Sequence, residues 1–542
     1  DIALANRHVS CGRLLVKAQL HSFGGAGGNN SSTSPSMGPE TEASGVWMDG
    51  GLTSPIPMTA EEIAEQDGLF PTDEDHLNSV AGNSRYCTIA DSVSLVVCMV
   101  GLPGRGKSFI SKRIARYLNW KGVPCKVFNA GNYRRQLLGA EATSGADFYD
   151  PRNEEAARQR EEMARLACDD LIKFLGENKV AVGVLDATNT TLERRQSLVD
   201  TFAALRRGES HQKTRVIFIE SVCTDESIIL ENILRAKCGN DDFKDVLDSQ
   251  TVIKEFRDRI VQYEKVYETI DTNEAISFMK IKNVKDQITF HNITGGVPTR
   301  LGYFLVNLHP VSFPISLSLP GETIGLVENR FVGDQTLTGA GEKYANDLFR
   351  FVEELVSPGE GKLLVLHSTD PCAERTVEYL DGLVQAEKVE LMPMQCLDDI
   401  NAGNFSGLTR EEAAKLHPKM SAKLFPSTTP LSSGGVTPLS PNSLGHTNTF
   451  YPSPNYTIAF PRGESCRQVN VRLETALLQI MRSDTPVMIV APLVPLQGLT
   501  AFFSDVLPEF SPTITLPLHQ VMEIGIKGNR IEHRIQNITT ET

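Results

Sequence analysis

The feature that most constrains this chain is a short apolar run, Ser94-Leu-Val-Val-Cys-Met-Val100, that ends on a glycine. Such a run has no in–out alternation, so it fits a strand buried on both faces, as in a parallel sheet. The next residues, Gly101-Leu102-Pro103-Gly104-Arg105-Gly106-Lys107-Ser108, match GxxxxGK[ST] in full, and a helical pattern continues to about residue 119. The glycines let successive backbone N–H groups turn inward around phosphates with no Cβ in the way, and the helix N-terminus adds partial positive charge. In that geometry the Lys107 ammonium reaches the β- and γ-phosphates and the Ser108 hydroxyl is a Mg²⁺ ligand. The whole segment from Gly101 to Ser108 is therefore assigned to nucleotide binding.

Further buried strands are expected at 124–128, 180–185 and 215–220, with helices at 152–175, 228–237 and 251–267. Strands alternating with helices predict an α/β fold with a mainly parallel sheet covered on both faces. A second α/β unit begins near residue 313, with strand candidates at 314–319, 362–367 and 486–491. A length of 542 residues suits two domains plus connecting segments. The expected division is 1–90, 91–310 and 311–542. The first segment is rich in Gly, Ser, Asn and Pro and then acidic, so it is expected to be a largely disordered extension. Residues 418–456, dense in Ser, Thr, Pro and Gly, read as a linker-like, disordered insertion with no part in the core.

A net charge of −14 argues against a nucleic-acid partner, which would select a basic surface. Ten cysteines are scattered without CxxC pairs or zinc-ligand spacing, which fits reduced thiols. No apolar run approaches the roughly 20 residues that span a bilayer, and no charged-then-apolar leader is visible. A cytoplasmic protein without membrane contact is the expectation. Against the acidic background, residues 101–135 carry nine Lys/Arg and no Asp or Glu. A one-signed stretch beside a phosphate loop suggests a second anion held next to the nucleotide.

The strand ending at Leu185 delivers Asp186 to a strand C-terminus, followed by Ala187-Thr188-Asn189-Thr190-Thr191. In a phosphate-loop protein this is where a Mg²⁺-organising carboxylate belongs, a helix cap being the structural alternative. Together with the phosphate loop, the segments Arg116-Tyr-Leu-Asn-Trp120, Lys126-Val-Phe-Asn129, Tyr133-Arg-Arg135 and Glu220-Ser-Val-Cys223 follow in a specific order. In them the chain closely resembles the 6-phosphofructo-2-kinase/fructose-2,6-bisphosphatase family over 94–310, and more loosely over 313–536.

The resemblance implies a P-loop kinase domain followed by a phosphoglycerate-mutase-like α/β domain. It implies transfer of the ATP γ-phosphoryl, with Mg²⁺, to fructose 6-phosphate, giving fructose 2,6-bisphosphate. Matched motif by motif, Arg134, Arg160, Thr188, Arg194, Arg259 and Tyr263 would hold the sugar phosphate. Arg259 and Tyr263, at i and i+4, share one helix face. Asn232 and Lys237 would line the nucleotide, with Lys237 between the two substrates. Lys107, Asp186, Lys237 and Cys223 fall on the family's catalytic positions, although a buried packing role fits Cys223 equally well. Two departures touch none of these groups: Gly104 stands where alanine is usual, and Leu192 where a basic residue is common.

In the second half the family begins its phosphatase chemistry at Arg-His-Gly-Glu, the histidine attacking phosphorus. The matching segment is Leu319-Pro320-Gly321-Glu322, and Ala491-Pro492 stands where a Cys-His pair carries the second histidine. Proline supplies neither nucleophile nor donor. Arg330, Arg375, Asp399 and Arg462-Gly463-Glu464 are retained, so a catalytically dead bisphosphatase half with a regulatory or structural role is expected. Members of the family often dimerise, which makes a homodimer an expectation, though no residues locate an interface. Two other readings remain open from the residues: a P-loop kinase of another small phosphorylated substrate, and a non-catalytic ligand-binding regulator.

Overall fold

The structure is a computed structural model that describes residues 93–139, 143, 145–178, 180–204, 213–239, 249–283, 286–308, 314–357, 362–425, 455–527 and 530–538. The expected N-terminal extension lies outside the described residues, as does most of the expected insertion. No described helix is long and apolar enough to cross a membrane.

The first sheet has the order β2-β3-β1-β4-β5-β6, where β1 is Val93–Val100, β2 Cys125–Asn129, β3 Val182–Asp186, β4 Lys213–Val222, β5 Phe278–Lys282 and β6 Gln287–His291. β1 lies between β3 and β4, parallel to both, which explains its unbroken apolar run: every described side chain from Ser94 to Val100 is buried. α1 (Lys107–Trp120) follows the phosphate loop, and α2 (Ala130–Leu138), α3 (Glu154–Glu177), α4 (Leu192–Ala204), α5 (Glu226–Gly239) and α6 (Ser249–Glu264) complete the layers. The four strands anticipated in this half are present. The antiparallel pair β5–β6, which closes one edge, was not anticipated, because Lys280 and Lys282 interrupt the apolar pattern. The last helix also ends at Glu264, earlier than expected, because Tyr267 turns inward to donate its hydroxyl to the buried Glu220 carboxylate.

α7 (Gly296–Val306) leads to the second sheet, of order β12-β11-β7-β10-β8-β9. Here β7 is Ile315–Ser318, β8 Leu363–His367, β9 Val389–Pro393, β10 Val487–Val490, β11 Gln520–Lys527 and β12 Arg530–Asn537. The centre, β7-β10-β8-β9, is parallel, while β11 and β12 add antiparallel strands at one edge. Helices α8 (Gly339–Val356), α9 (Pro371–Glu378), α10 (Glu474–Arg482) and α11 (Leu493–Phe503) pack around it.

The expected insertion starts too early. Pro418–Leu424 is a helix with proline in its first turn, a position where the missing N–H costs nothing. Leu424 and Phe425 are buried, and the Phe425 ring stacks on Phe331 at 5.6 Å. Tyr456, at the far side of the segment, is buried as well. Proline and serine density hid these apolar anchors.

One apolar cluster runs through both halves, joining Tyr117, Trp120, Leu301 and Phe304 to Leu473, Leu477, Ile480 and Phe502. Tyr117 stacks on Phe304 at 4.3 Å, and Trp120 Nε1 donates to the Gly498 carbonyl at 2.9 Å. The helix that leaves the phosphate loop thus has its far end seated in the second half.

Candidate active site

The phosphate loop has the backbone its glycines predict. Gly101, Gly104 and Gly106 have φ of 135°, 74° and 81°, a region that side-chain-bearing residues rarely adopt. A Cβ on Gly101 would also lie 2.5 Å from the Ser221 carbonyl oxygen. Three contacts fix the loop from outside. Ser221 Oγ donates to the Arg105 carbonyl, Asn232 Nδ2 donates to the Gly104 carbonyl at 3.0 Å, and the Gly101 N–H donates to the Thr188 carbonyl at 3.0 Å. Asn189 has φ of 42° and donates Nδ2 to the Met99 carbonyl at 2.8 Å, which ties the Asp186–Thr191 turn to the end of β1.

Lys107 is buried and donates Nζ to the Leu102 carbonyl at 2.7 Å. Burial lowers its pKa to about 8, with Arg105 adding to the shift and Asp186 opposing it. An ammonium in this state gains much from an arriving polyphosphate.

Asp186 ends β3 and is in register with Asn129 at the end of β2. Asn129 Nδ2 donates to Asp186 Oδ2 and lies 3.5 Å from Ser108 Oγ. One amide therefore brings the two expected Mg²⁺ ligands together. A hydroxyl and a carboxylate side by side, with no denser acidic cluster among the described residues, suit a cation that keeps waters and phosphate oxygens as its other ligands. The sequence assigns Asn129 no role; its place at the end of an expected strand is the signal that could have found it, while its register with Asp186 belongs to the fold.

Lys237 aside, the sugar-phosphate candidates come from four helices and the turn after β3. Arg134 on α2 is buried and donates Nη1 to the Thr143 carbonyl and hydroxyl at 2.8 and 2.7 Å. Arg160 on α3 donates Nη1 to the Phe148 carbonyl, its guanidinium 5.8 Å from the Phe148 ring. Arg259 on α6 lies over the Tyr149 ring at 4.3 Å, and Tyr263, one turn on, packs on the same ring at 5.6 Å. The expectation that Arg259 and Tyr263 share a face therefore holds. Arg194 on α4 is bonded to Glu161 of α3 at 2.5 Å, with the Cys168 thiol nearby. Its neighbour Arg195 is a structural residue, doubly bonded to Glu274 and buried. Thr188 is half-buried on the turn after Asp186.

Two candidates stand differently. Lys237 lies on α5, one and a half turns past Asn232, and its side chain lies outside the described residues. Cys223 packs among Ile229, Ile233, Val252, Phe256 and Ile260, and burial raises its thiol pKa. Both features suit packing rather than thiolate chemistry.

The basic stretch 101–135 is spent differently from the expectation of one second anion. Arg116 pairs with Asp505 at 2.9 Å and Lys121 with Glu474 at 2.8 Å, both acids belonging to the second half. Part of the asymmetry is thus an internal interface whose acids lie more than 350 residues along the chain.

In the second half, Pro320 and Pro492 are both buried at the ends of their strands. Gly321 packs so closely that a Cβ would lie 2.6 Å from the Gly341 carbonyl oxygen, and its N–H donates to Thr376. Of the retained arginines, Arg330 is occupied by Glu328, Glu412 and the Gly407 carbonyl, and Arg375 by Glu342 and Glu378. Burial, with the neighbouring Asp370 and Glu464 carboxylates, raises the Asp399 pKa to about 7.

A family model for 6-phosphofructo-2-kinase matches residues 83–312. A 6-phosphofructo-2-kinase/fructose-2,6-bisphosphatase of Caenorhabditis elegans is 32% identical over 452 residues, 82% of this chain and 90% of that protein. One of Arabidopsis thaliana is 32% identical over 496 residues, covering 89% of this chain but only 60% of that longer protein. Among solved structures, Bacillus stearothermophilus YhfR overlays 42% of this chain and 98% of its own at 21% identity, with a TM-score of 0.30. The chain belongs to the 6-phosphofructo-2-kinase/fructose-2,6-bisphosphatase family and carries its kinase half.

Proposed function

We propose that this chain transfers the γ-phosphoryl of ATP to the 2-hydroxyl of fructose 6-phosphate, and that its second half no longer hydrolyses the product. The observation that carries the kinase reading is Asn129 joining Asp186 to Ser108 at the mouth of a complete phosphate loop. The loop amides and Lys107 would cradle the polyphosphate. Ser108 and Asp186 would hold Mg²⁺, which when bound neutralises charge on the phosphate oxygens. Asp186 would hold that metal or take the proton leaving the 2-hydroxyl. Arg134, Arg160, Arg194, Arg259, Tyr263 and Thr188 would grip the sugar phosphate, and Lys237 would stand between the substrates. Cys223 is best given a packing role.

Loss of the phosphatase is supported by Pro320 and Pro492, which stand where the resemblance implies the nucleophilic and the second histidine. It is supported too by Arg330 and Arg375, which already face carboxylates and so offer little charge to an incoming bisphosphate.

The test is formation of fructose 2,6-bisphosphate from ATP, Mg²⁺ and fructose 6-phosphate by the purified chain and its Lys107→Ala variant. Product from the wild type and a loss of at least about a hundredfold in the variant are expected, since removing one transition-state charge donor commonly costs that much. No product despite ATP binding would favour another small phosphorylated substrate. Hydrolysis of fructose 2,6-bisphosphate that persists in Lys107→Ala would refute the dead-phosphatase reading.

A further inference from the structure

A groove of about 420 Å³ lies between α7 and α10, with no phosphate-loop residue in its walls. That is room for a small organic molecule. Helical spacing sets out its walls. On α10, Glu474, Leu478 and Arg482 stand at i, i+4 and i+8 and so follow one another along one face, over about 12 Å of helix rise. On α7, Arg300 and Tyr303 face the same space from a single turn. Arg300 Nη1 donates to Glu474 at 2.9 Å, which fixes Arg300 at the Glu474 end. The groove thus has Arg300 at one end and Arg482 at the other, with the buried Leu478 between them.

Charge on these walls is one-sided. Glu474 is the one acid among the lining residues, and it is already taken by Lys121 and Tyr117 as well as Arg300. Arg300 meets it through a single nitrogen. Arg482 ends α10, is exposed, and has no hydrogen bond or ion pair among the described residues. Gln479 adds an amide beside it, and the Tyr303 ring, 63% exposed, stands on the opposite wall. Two guanidinium groups flanking an apolar middle are an arrangement that selects an anion, here in a chain of net charge −14.

We propose that this groove binds a small organic dianion, with a carboxylate or phosphate at each end of a short carbon body. Each guanidinium takes one terminal group through paired N–H donors, the planar geometry that arginine matches best. Leu478 and the Tyr303 ring take the body. Because Glu474 also holds Lys121, just past the end of α1, the ligand sits against the contact that seats the phosphate-loop helix in the second half. Nothing in this site depends on which reaction the first half catalyses.

Binding to the full-length protein is measured by titration calorimetry with adipate, 1,4-butanediol bisphosphate and the single-charge control hexanoate. At least one dianion is expected to bind one-to-one, and hexanoate at least about tenfold more weakly. Binding of adipate alone, of the bisphosphate alone, or of both supports the site and identifies its terminal group. Arg482→Ala is expected to weaken the dianion about tenfold, as loss of hydrogen bonds to a charged group does. Arg482→Lys keeps the charge without the fork and is expected to fall between the two. Arg350→Ala removes an exposed arginine on α8 and should leave affinity within about twofold. No binding of either dianion at about 10 mM overturns the inference. Hexanoate binding as tightly as the dianions overturns it, as does wild-type affinity in Arg482→Ala. A loss in Arg350→Ala equal to that in Arg482→Ala also overturns it, because the attraction would then belong to the surface at large.

Discussion

Glu474 offers the sharpest test of what the second half does for the first. It opens α10 and accepts from Lys121 Nζ at 2.8 Å, Arg300 Nη1 at 2.9 Å and the Tyr117 hydroxyl. The Lys121 side chain is 1% exposed and that of Glu474 18%, whereas Arg300 is 38% exposed and its share is largely screened. Burial pushes the Glu474 pKa up, but Lys121, Tyr117 and Arg300 outweigh it and hold the carboxyl below its ordinary value. Glu474→Gln keeps the volume and removes the charge that faces Lys121. Breaking a buried pair in this way costs about 3–5 kcal/mol, a large part of the 5–15 typical of a whole domain.

The assay is equilibrium urea denaturation followed by Trp fluorescence, with kinase activity measured in parallel. Trp120 sits in this interface on the Gly498 carbonyl, so its emission reports there. The midpoint is expected to fall, with fluorescence and activity lost together, since α1 runs from the phosphate loop into the interface. Adding Lys121→Met should restore most of the loss by removing the buried charge. The sign of the pH effect is also set. A depressed carboxyl pKa gives stability that is present above the unfolded value and disappears as pH falls through the folded one, and the Gln variant should lack this component. A Glu474→Gln midpoint equal to the wild type, or kinase activity that outlasts the Trp120 transition, would refute the coupling.

Two other outcomes follow from titrating groups. Because burial lowers the Lys107 pKa to about 8 and the charged form is the one that meets phosphate, ATP binding should take up a proton. ATP affinity measured by calorimetry should fall above pH 8, by at most about tenfold per unit, and this pH dependence should vanish in Lys107→Ala. Asp399 has its pKa raised to about 7, so the folded state holds a proton the unfolded chain has released between roughly pH 4 and 7. Stability from this group is present below pH 4 and is lost as pH rises through 7; Asp399→Asn should flatten that slope in denaturation curves taken from pH 5 to 8.

The nucleotide site was legible in the residues because its determinants are local. Gly101 to Ser108 sit on one turn whose backbone conformations are set by the glycines, and Asp186 was visible as an acid at the end of a buried strand. The sugar-phosphate arginines could be named only through resemblance. Spacing along the chain does not say that α3 and α6 meet at Phe148 and Tyr149, two aromatics that read as ordinary core, or that Arg134 of α2 is held by Thr143. Tertiary structure alone decided how Arg116 and Lys121 are used. Their acids, Asp505 and Glu474, arrive from the other half, and pairing between charges depends on distance in space, which a one-dimensional charge count cannot contain. That prolines stand at 320 and 492 is a local fact of the sequence, whereas the expectation of histidines there came through the resemblance. The pairing of Arg330 and Arg375 with carboxylates that carry no motif is a property of the fold.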